Sequence, residues 1–523
     1  MSRRAPIAPM LRALWLVAAL AAATALAEAT APARAATPAQ QPERAAVTVS
    51  AAPVSAPRPG DFVGLAFTYR ELPHWFPPGA PRDAVLPALI HNLTPVGRPS
   101  LRIGGESADR SWWPIPGYHK PIGIRYNLGP AWITSALALA HATDPDLMLG
   151  LEFEADQPRI DRVEATQLLR RVGRRYIQSL EIGNEPDLYT IIPWYKLNHG
   201  HPVPWFSTVG SPVYARRQPY TPQRYATEVA RVLRAIPRYP VAGPETDVSS
   251  WLQAFGAFLE PQGPATTLTS HGYGVDACNS GDRPPDISPT IANLLSTHAS
   301  RTEVVPSTYG VSLAHAHGAR FRIDELGAVT CGGPPAVSRS MATALWGVDA
   351  LFYAASQGVD GVNLHSAYAR TNNLFSVTLR HGRWRATTRP LYYGALMFAR
   401  ADPAGSRLLA VSGATAPWVR VWASEGVTGH LRVTVINDSP RRAADVAVRI
   451  PGRPRAAVAG LQSLTAPGGV GATTAVTLGG RSITAGGSIA APRPATVKGP
   501  GGVFHMAVPK GSVALLTLSP PKS

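Results

Sequence analysis

Eight short apolar runs recur along residues 62–364, each separated from the next by a stretch long enough for a helix. This rhythm limits the possible folds more than any other feature of the chain. The runs are FVGLAF (62–67), SLRI (100–103), LMLGLEF (147–153), SLEI (179–182), PVA (240–242), TLTS (267–270), RFRI (320–323) and GVNL (361–364). Between the third and fourth, Ala165, Leu168, Leu169, Val172 and Tyr176 fall at helical spacing, so one face of 163–176 should pack on a sheet. Residues 336–357 have similar helical character before the eighth run. Strand and helix alternating eight times over about 300 residues predicts a (β/α)8 TIM barrel, with a doubly wound open sheet as the competing topology. No GxGxxG turn follows the first run, so the dinucleotide-binding form of that competitor loses support.

From about residue 405 the period changes from helix-and-strand to two. VRVWA (419–423), HLRVTVI (430–436), ADVAVRI (444–450) and SVALLTL (512–518) alternate between Gly, Pro and Asn turns, which predicts an antiparallel β-sandwich attached to the barrel. The expected organisation is a signal segment at 1–35, a linker at 36–60, the catalytic barrel at 61–400 and the β-sandwich domain at 401–523. Within the linker, AVTVS (46–50) alternates like a strand and could return to the C-terminal sheet. The signal reading rests on Arg3 and Arg4, an apolar run over 11–26 and small residues at Ala25, Ala27 and Ala35, after which cleavage could fall. An uncleaved anchor is the weaker alternative. Export to a bacterial periplasm or beyond follows, with no membrane association after cleavage.

Of the 523 residues, 45% are hydrophobic and 16% charged, which suits a globular chain of two or three domains. The net charge of +17 would permit an acidic partner such as a uronic-acid polymer or nucleic acid. Abundant Arg beside Ala, Gly and Pro throughout the chain favours compositional bias, and no nucleic-acid motif accompanies the charge. The two cysteines, Cys278 and Cys331, read most economically as one disulfide in an oxidising compartment, with two free thiols as the alternative. Neither lies in a CxxC or His-rich cluster, so no metal site is expected.

Catalytic groups of such a barrel gather at the carboxyl ends of its strands. Glu185 follows the fourth run in SLEIGNEPDLY (179–189) and Glu325 follows the seventh in RFRIDELG (320–327). Either acid alone reads as an ordinary solvated strand end. Together, on opposite sides of a barrel mouth, they could flank one glycosidic bond; a separation of about 5–5.5 Å would permit double displacement. Asn184 could donate to a sugar hydroxyl beside the reacting carbon. His271 and Tyr273 share one side of the sixth run, where the phenol could steady an ionised carboxylate; core packing is the bland alternative. Trp112, Trp113, Trp194 and Trp205 lie in loops after the second and fourth runs, as sugar-stacking rings or as packing.

The motifs EIGNEPD (181–187) and DELG (324–327) resemble those of retaining barrel glycosidases. More narrowly, FVGLAF (62–67) and SLRIGGESAD (100–109) resemble glycoside hydrolase family 79, which includes β-glucuronidases and heparanases. The similarity spans about residues 60–400 and the terminal β-domain. It implies Glu185 as acid/base and Glu325 as nucleophile, with no cofactor. Asp109 and the Gly104–Gly105 turn would line the terminal sugar subsite; pairing of Asp109 with Arg110 or helix capping is the alternative. Asn363, His365, Ser366 and Tyr368 sit where family members bind the substrate carboxylate, and an exposed polar loop would look similar. Two positions depart from the family: Thr68 stands where members commonly carry Glu, and Glu106 where they carry Asn. The expected activity is hydrolysis of β-linked glucuronic acid, the expected partner a uronic-acid-containing glycan or glycoside. Another retaining β-glycosidase, or a non-catalytic acidic-glycan binder, is the alternative.

Overall fold

A computed structural model describes residues 41–246, 251, 256, 265–278, 285–302, 304, 307–367, 371–452 and 457–520. The expected signal segment at 1–35, the start of the linker and Tyr368 lie outside the described residues. Among the described residues no helix is long and apolar enough to cross a membrane.

Every one of the eight runs is a strand: β1 (Val63–Thr68), β2 (Ser100–Gly104), β3 (Asp146–Leu151), β4 (Ile177–Ile182), β5 (Val241–Thr246), β6 (Ala265–Val275), β7 (Arg320–Val329) and β8 (Gly361–His365). They pair in parallel and in chain order, and β8 returns to β1, closing the barrel. The open-sheet alternative is thereby excluded. On β4 the pattern shows why. Leu180 and Ile182 meet the surrounding helices, whereas Glu181 reaches the buried Arg102 inside the barrel. The helix read from 163–176 runs over Pro158–Leu168, with Pro at its first turn, and loosens into a π turn at Leu169–Gly173. The stretch at 336–357 contains the helix Met341–Ser356, buried along nearly its whole length because it lies between barrel and C-terminal sheet.

That second sheet has ten strands and is antiparallel except where Glu43–Pro53 runs parallel to Ala444–Arg449. Glu43–Pro53 also pairs antiparallel with Arg407–Ala414. The sheet curls into a sandwich around its own core of Val433, Val435, Val446, Val448, Phe504, Met506 and Leu516. Its outer face joins the barrel core through Leu408, Ile436, Val513 and Leu515. Trp422 stacks on Phe352 at 5.5 Å and donates from its indole to Asp349 at 2.9 Å, which fixes the sheet on the Met341–Ser356 helix.

Candidate active site

The two acids of the strand ends are brought to one cavity of about 700 Å³ at the carboxyl end of the barrel. Glu185 leaves β4 after Gly183 (φ +79°) and itself takes φ +48°, a conformation that side chains with a Cβ adopt at a cost. Its amide donates to the Glu245 carbonyl at 3.0 Å, tying the turn to β5. Glu325 reaches the axis for a different reason. Arg322 and Asp324 already point inward, so strict alternation would send Glu325 out. The register of β6 with β7 slips between Ser270 and His271, a bulge that turns Glu325 inward as well. Carboxylate oxygens of Glu185 and Glu325 and a ring nitrogen of His271 lie within 4.8 Å of one another.

Their surroundings differ. Glu325 is buried, and one oxygen accepts from Arg102 Nη1 at 2.8 Å. The other meets the Tyr273 hydroxyl in a short hydrogen bond and His365 Nδ1 at 3.1 Å. Burial alone would raise its pKa, but the pull of His365 and Arg102 outweighs burial and holds it well below the usual carboxylate range. His365 is raised in return: burial opposes its charge, and the Glu325 carboxylate overrides burial. Glu185 is more open, with 21% of its side chain exposed, and lies 2.9 Å from His271 Nδ1. Burial pushes His271 down to about 3, so the ring is neutral. Its Nε2 faces Asp324 at 3.6 Å, and burial raises that carboxyl well above its ordinary value.

Asn184 is placed from two sides. Its amide donates to Asp109 Oδ2 at 3.0 Å, and its side-chain carbonyl accepts from Arg102 Nη2 at 3.0 Å. The carboxamide is thus oriented so that the NH2 group remains for the cavity that Asn184 lines. Gly105 has φ +63°, and a Cβ there would stand 3.4 Å from Glu325 Oε2, so this turn needs glycine.

Two expected substrate contacts, Asn363 and Ser366, are corrected, and a third, Asp109, already has protein partners. Asp109 lies in the cavity wall, but its oxygens accept from the Phe153 amide, the Asn184 amide and the Tyr189 hydroxyl. Its carboxylate braces the β4 turn and caps no helix. Burial raises its pKa to about 6. Asn363 shares an inward face with His365 but lies one layer deeper, fully buried, accepting from Arg322 at 2.7 Å and donating to Leu65. Ser366 is buried, and its hydroxyl accepts from the Leu374 amide at 3.4 Å. His271, Tyr273 and His365 do converge on the acids. Cys278 and Cys331 are joined, Cα to Cα 5.3 Å, and link the loops after β6 and β7 at the cavity rim. Trp205 lines the cavity, whereas Trp112 is buried behind it.

Arg102 is the residue that sequence reasoning missed. Only 1% exposed, it also meets Glu181 at 3.1 Å and Glu245 at 2.5 Å, acting as hub for four carboxylates and Asn184. Glu71 was missed too: it lines the cavity and accepts from the Thr68 amide at 2.7 Å, supplying a carboxylate near the end of β1 where Thr68 has none. Two trios bring metal-ligand atoms within 4.8 Å, Glu185 with His271 and Glu325, and Glu245 with His271 and Asp324. Both already adjoin the Arg102 guanidinium, whose positive charge opposes a cation.

No protein-family model matches the chain, and no curated protein matches it. Solved structures do. A 4-O-α-L-rhamnosyl-β-D-glucuronidase from Fusarium oxysporum 12S is 15% identical with a TM-score of 0.64, covering 91% of this chain and 100% of that one. A GH51 arabinofuranosidase from Xanthomonas axonopodis pv. citri is 15% identical with a TM-score of 0.58 over the same shares. The GH51 α-L-arabinofuranosidase from Thermotoga petrophila RKU-1 is 15% identical with a TM-score of 0.60, covering 90% of this chain and 99% of that one. The likeness establishes the fold, a parallel barrel with an attached β-sandwich.

Proposed function

We propose that the chain is an exported retaining glycoside hydrolase that removes β-linked glucuronic acid residues. The observation that carries the reading is the approach of Glu185 and Glu325 to within 4.8 Å across the barrel mouth. Inverting enzymes keep their carboxyls roughly 6.5–9.5 Å apart to admit a water, and retaining enzymes about 5–5.5 Å. Glycoside hydrolases among the structures of similar fold support the same class of chemistry.

Glu325, ionised by Arg102 and His365, attacks the anomeric carbon. Glu185 gives its proton to the leaving oxygen. The like charge of Glu325 favours the protonated Glu185 in this first step, and that charge disappears when the glycosyl ester forms, so Glu185 can then take the proton from water. The tautomer of His271 that fits has Nδ1–H donating to Glu185 Oε1, which leaves Oε2 to carry the transferred proton. Asn184 supplies a donor beside the reacting carbon.

Uronic acid as the sugar rests on the family resemblance, on the glucuronidase of similar fold and on Arg70, an exposed cation in the cavity wall. A neutral sugar is the second reading. Glu71 in the same wall favours it, since a carboxylate accepts from hydroxyls and repels a uronate. A panel of chromogenic aryl β-glucuronide, glucoside, xyloside and α-arabinofuranoside separates the two. Preference for the glucuronide is expected, and preference for a neutral glycoside replaces the sugar while leaving the mechanism. Binding of acidic glycans without turnover of any glycoside would overturn the enzyme reading.

A further inference from the structure

Resting on the retaining-glycosidase reading, we infer that the subsite for the leaving group is built for an apolar ring, so that the natural substrates are glycosides of aromatic or polycyclic alcohols. Because Glu185 must protonate the departing oxygen, the leaving group lies on its side of the cavity. The chain that follows Glu185 builds that wall: Leu188, Ile192, Trp205 and Phe206 all line the same cavity as the two glutamates. Trp205 and Phe206 meet edge to face at 5.8 Å, and Phe206 leaves 65% of its surface exposed at the mouth.

The Trp205 ring is held in place. Its indole N–H is taken by the Glu106 carboxylate in a short hydrogen bond, and the Arg110 guanidinium stands 5.9 Å from the ring centroid. Arg110 in turn pairs with Glu106 at 3.3 Å. The departure at Glu106 thereby acquires a task, since a carboxylate at this position accepts the indole N–H and leaves the aromatic face as the recognition surface. With that N–H occupied, none of the four side chains has a free donor or acceptor. A sugar bound there would leave hydroxyls unpaired against them, whereas a flat apolar ring loses nothing.

The test compares benzyl and methyl glycosides of whichever sugar the enzyme accepts, because the two alcohols are of nearly equal acidity and differ by one ring. The wild type should favour benzyl in kcat/KM by about tenfold or more, the scale set by burying a phenyl group. Trp205→Ala and Phe206→Ala should each cut that ratio several-fold. Phe206→Ala removes an exposed side chain and keeps the test valid if Trp205→Ala fails to fold. Equal rates for benzyl and methyl, a ratio untouched by both variants, or preference for a disaccharide over the benzyl glycoside overturns the inference while leaving the glycosidase reading intact. No turnover of any glycoside overturns both.

Discussion

Replacing Arg102 by Met removes a cation shared by Glu325, Glu181, Glu245 and Asp324, at a site 1% exposed. A unit charge about 4 Å from its partner is worth roughly 4 kcal/mol at an effective dielectric of 20. Truncating one member of a buried ion pair costs about 3–5 kcal/mol, so the two scales agree. Burial raises the carboxyls of Glu181, Glu245 and Asp324, which can retain protons and soften the loss at low pH. The loss of stability should therefore approach 3 kcal/mol in mildly acidic buffer and grow as pH rises. Urea unfolding at pH 5.5 and pH 8 measures it. Glu325 loses one of the charges that hold it ionised, so the acidic limb of kcat/KM should move to higher pH. Arg102→Lys retains the charge without the planar fork that reaches four acceptors and should fall between wild type and Met. An Arg102→Met protein within about 0.5 kcal/mol of wild type, with an unmoved acidic limb, would refute the hub.

Glu185→Ala should lower kcat/KM by about 10²–10⁴ for poor leaving groups and much less for dinitrophenyl glycosides, with azide restoring turnover as a glycosyl azide; equal losses for both substrates would remove Glu185 from the acid role. Gly105→Ala forces a Cβ into φ +63° beside Glu325; a loss of roughly 1–2 kcal/mol and a fall in kcat should appear together in calorimetry and kinetics. Reducing the Cys278–Cys331 bridge, which closes a separation of 53 residues, should cost about 2–4 kcal/mol of unfolding free energy, read from denaturant titration. Asp402 is buried, and burial raises its pKa from 3.8 to about 6 against the opposing pull of Arg58. Below pH 3.8 folded and unfolded chains both hold that proton; between 3.8 and 6 only the folded chain does. Stability should therefore fall by up to roughly 3 kcal/mol as pH rises through that window, and Asp402→Asn should remove that slope.

The barrel was legible because its strands are short apolar runs at even spacing, and the acids because they follow runs four and seven. Arg102 escaped notice inside SLRIG, where a charge between Leu101 and Ile103 looks like a solvent-facing alternation. A signal was present: Arg102 on β2 and Glu181 on β4 both oppose their apolar neighbours, and inside a closed barrel opposite charges on that face can meet. Asn363 was misplaced because period two assigns a face without a depth, so it cannot separate the cavity layer from the layer beneath. The inward turn of Glu325 depends on a bulge that has no mark in DELG. Ser366 and Asp109 look available for ligand in sequence because the amides that occupy them, Leu374, Phe153 and Asn184, arrive from other segments.

Treatment with 2-deoxy-2-fluoro-β-glucuronosyl fluoride, followed by peptide mass spectrometry, tests the two-glutamate mechanism at its reacting atom; the neutral-sugar analogue serves if the panel selects a neutral glycoside. Slow deglycosylation should trap the intermediate as one glycosyl ester on Glu325. A turned-over substrate that gives no covalent adduct, or an adduct on any other residue, would contradict the account.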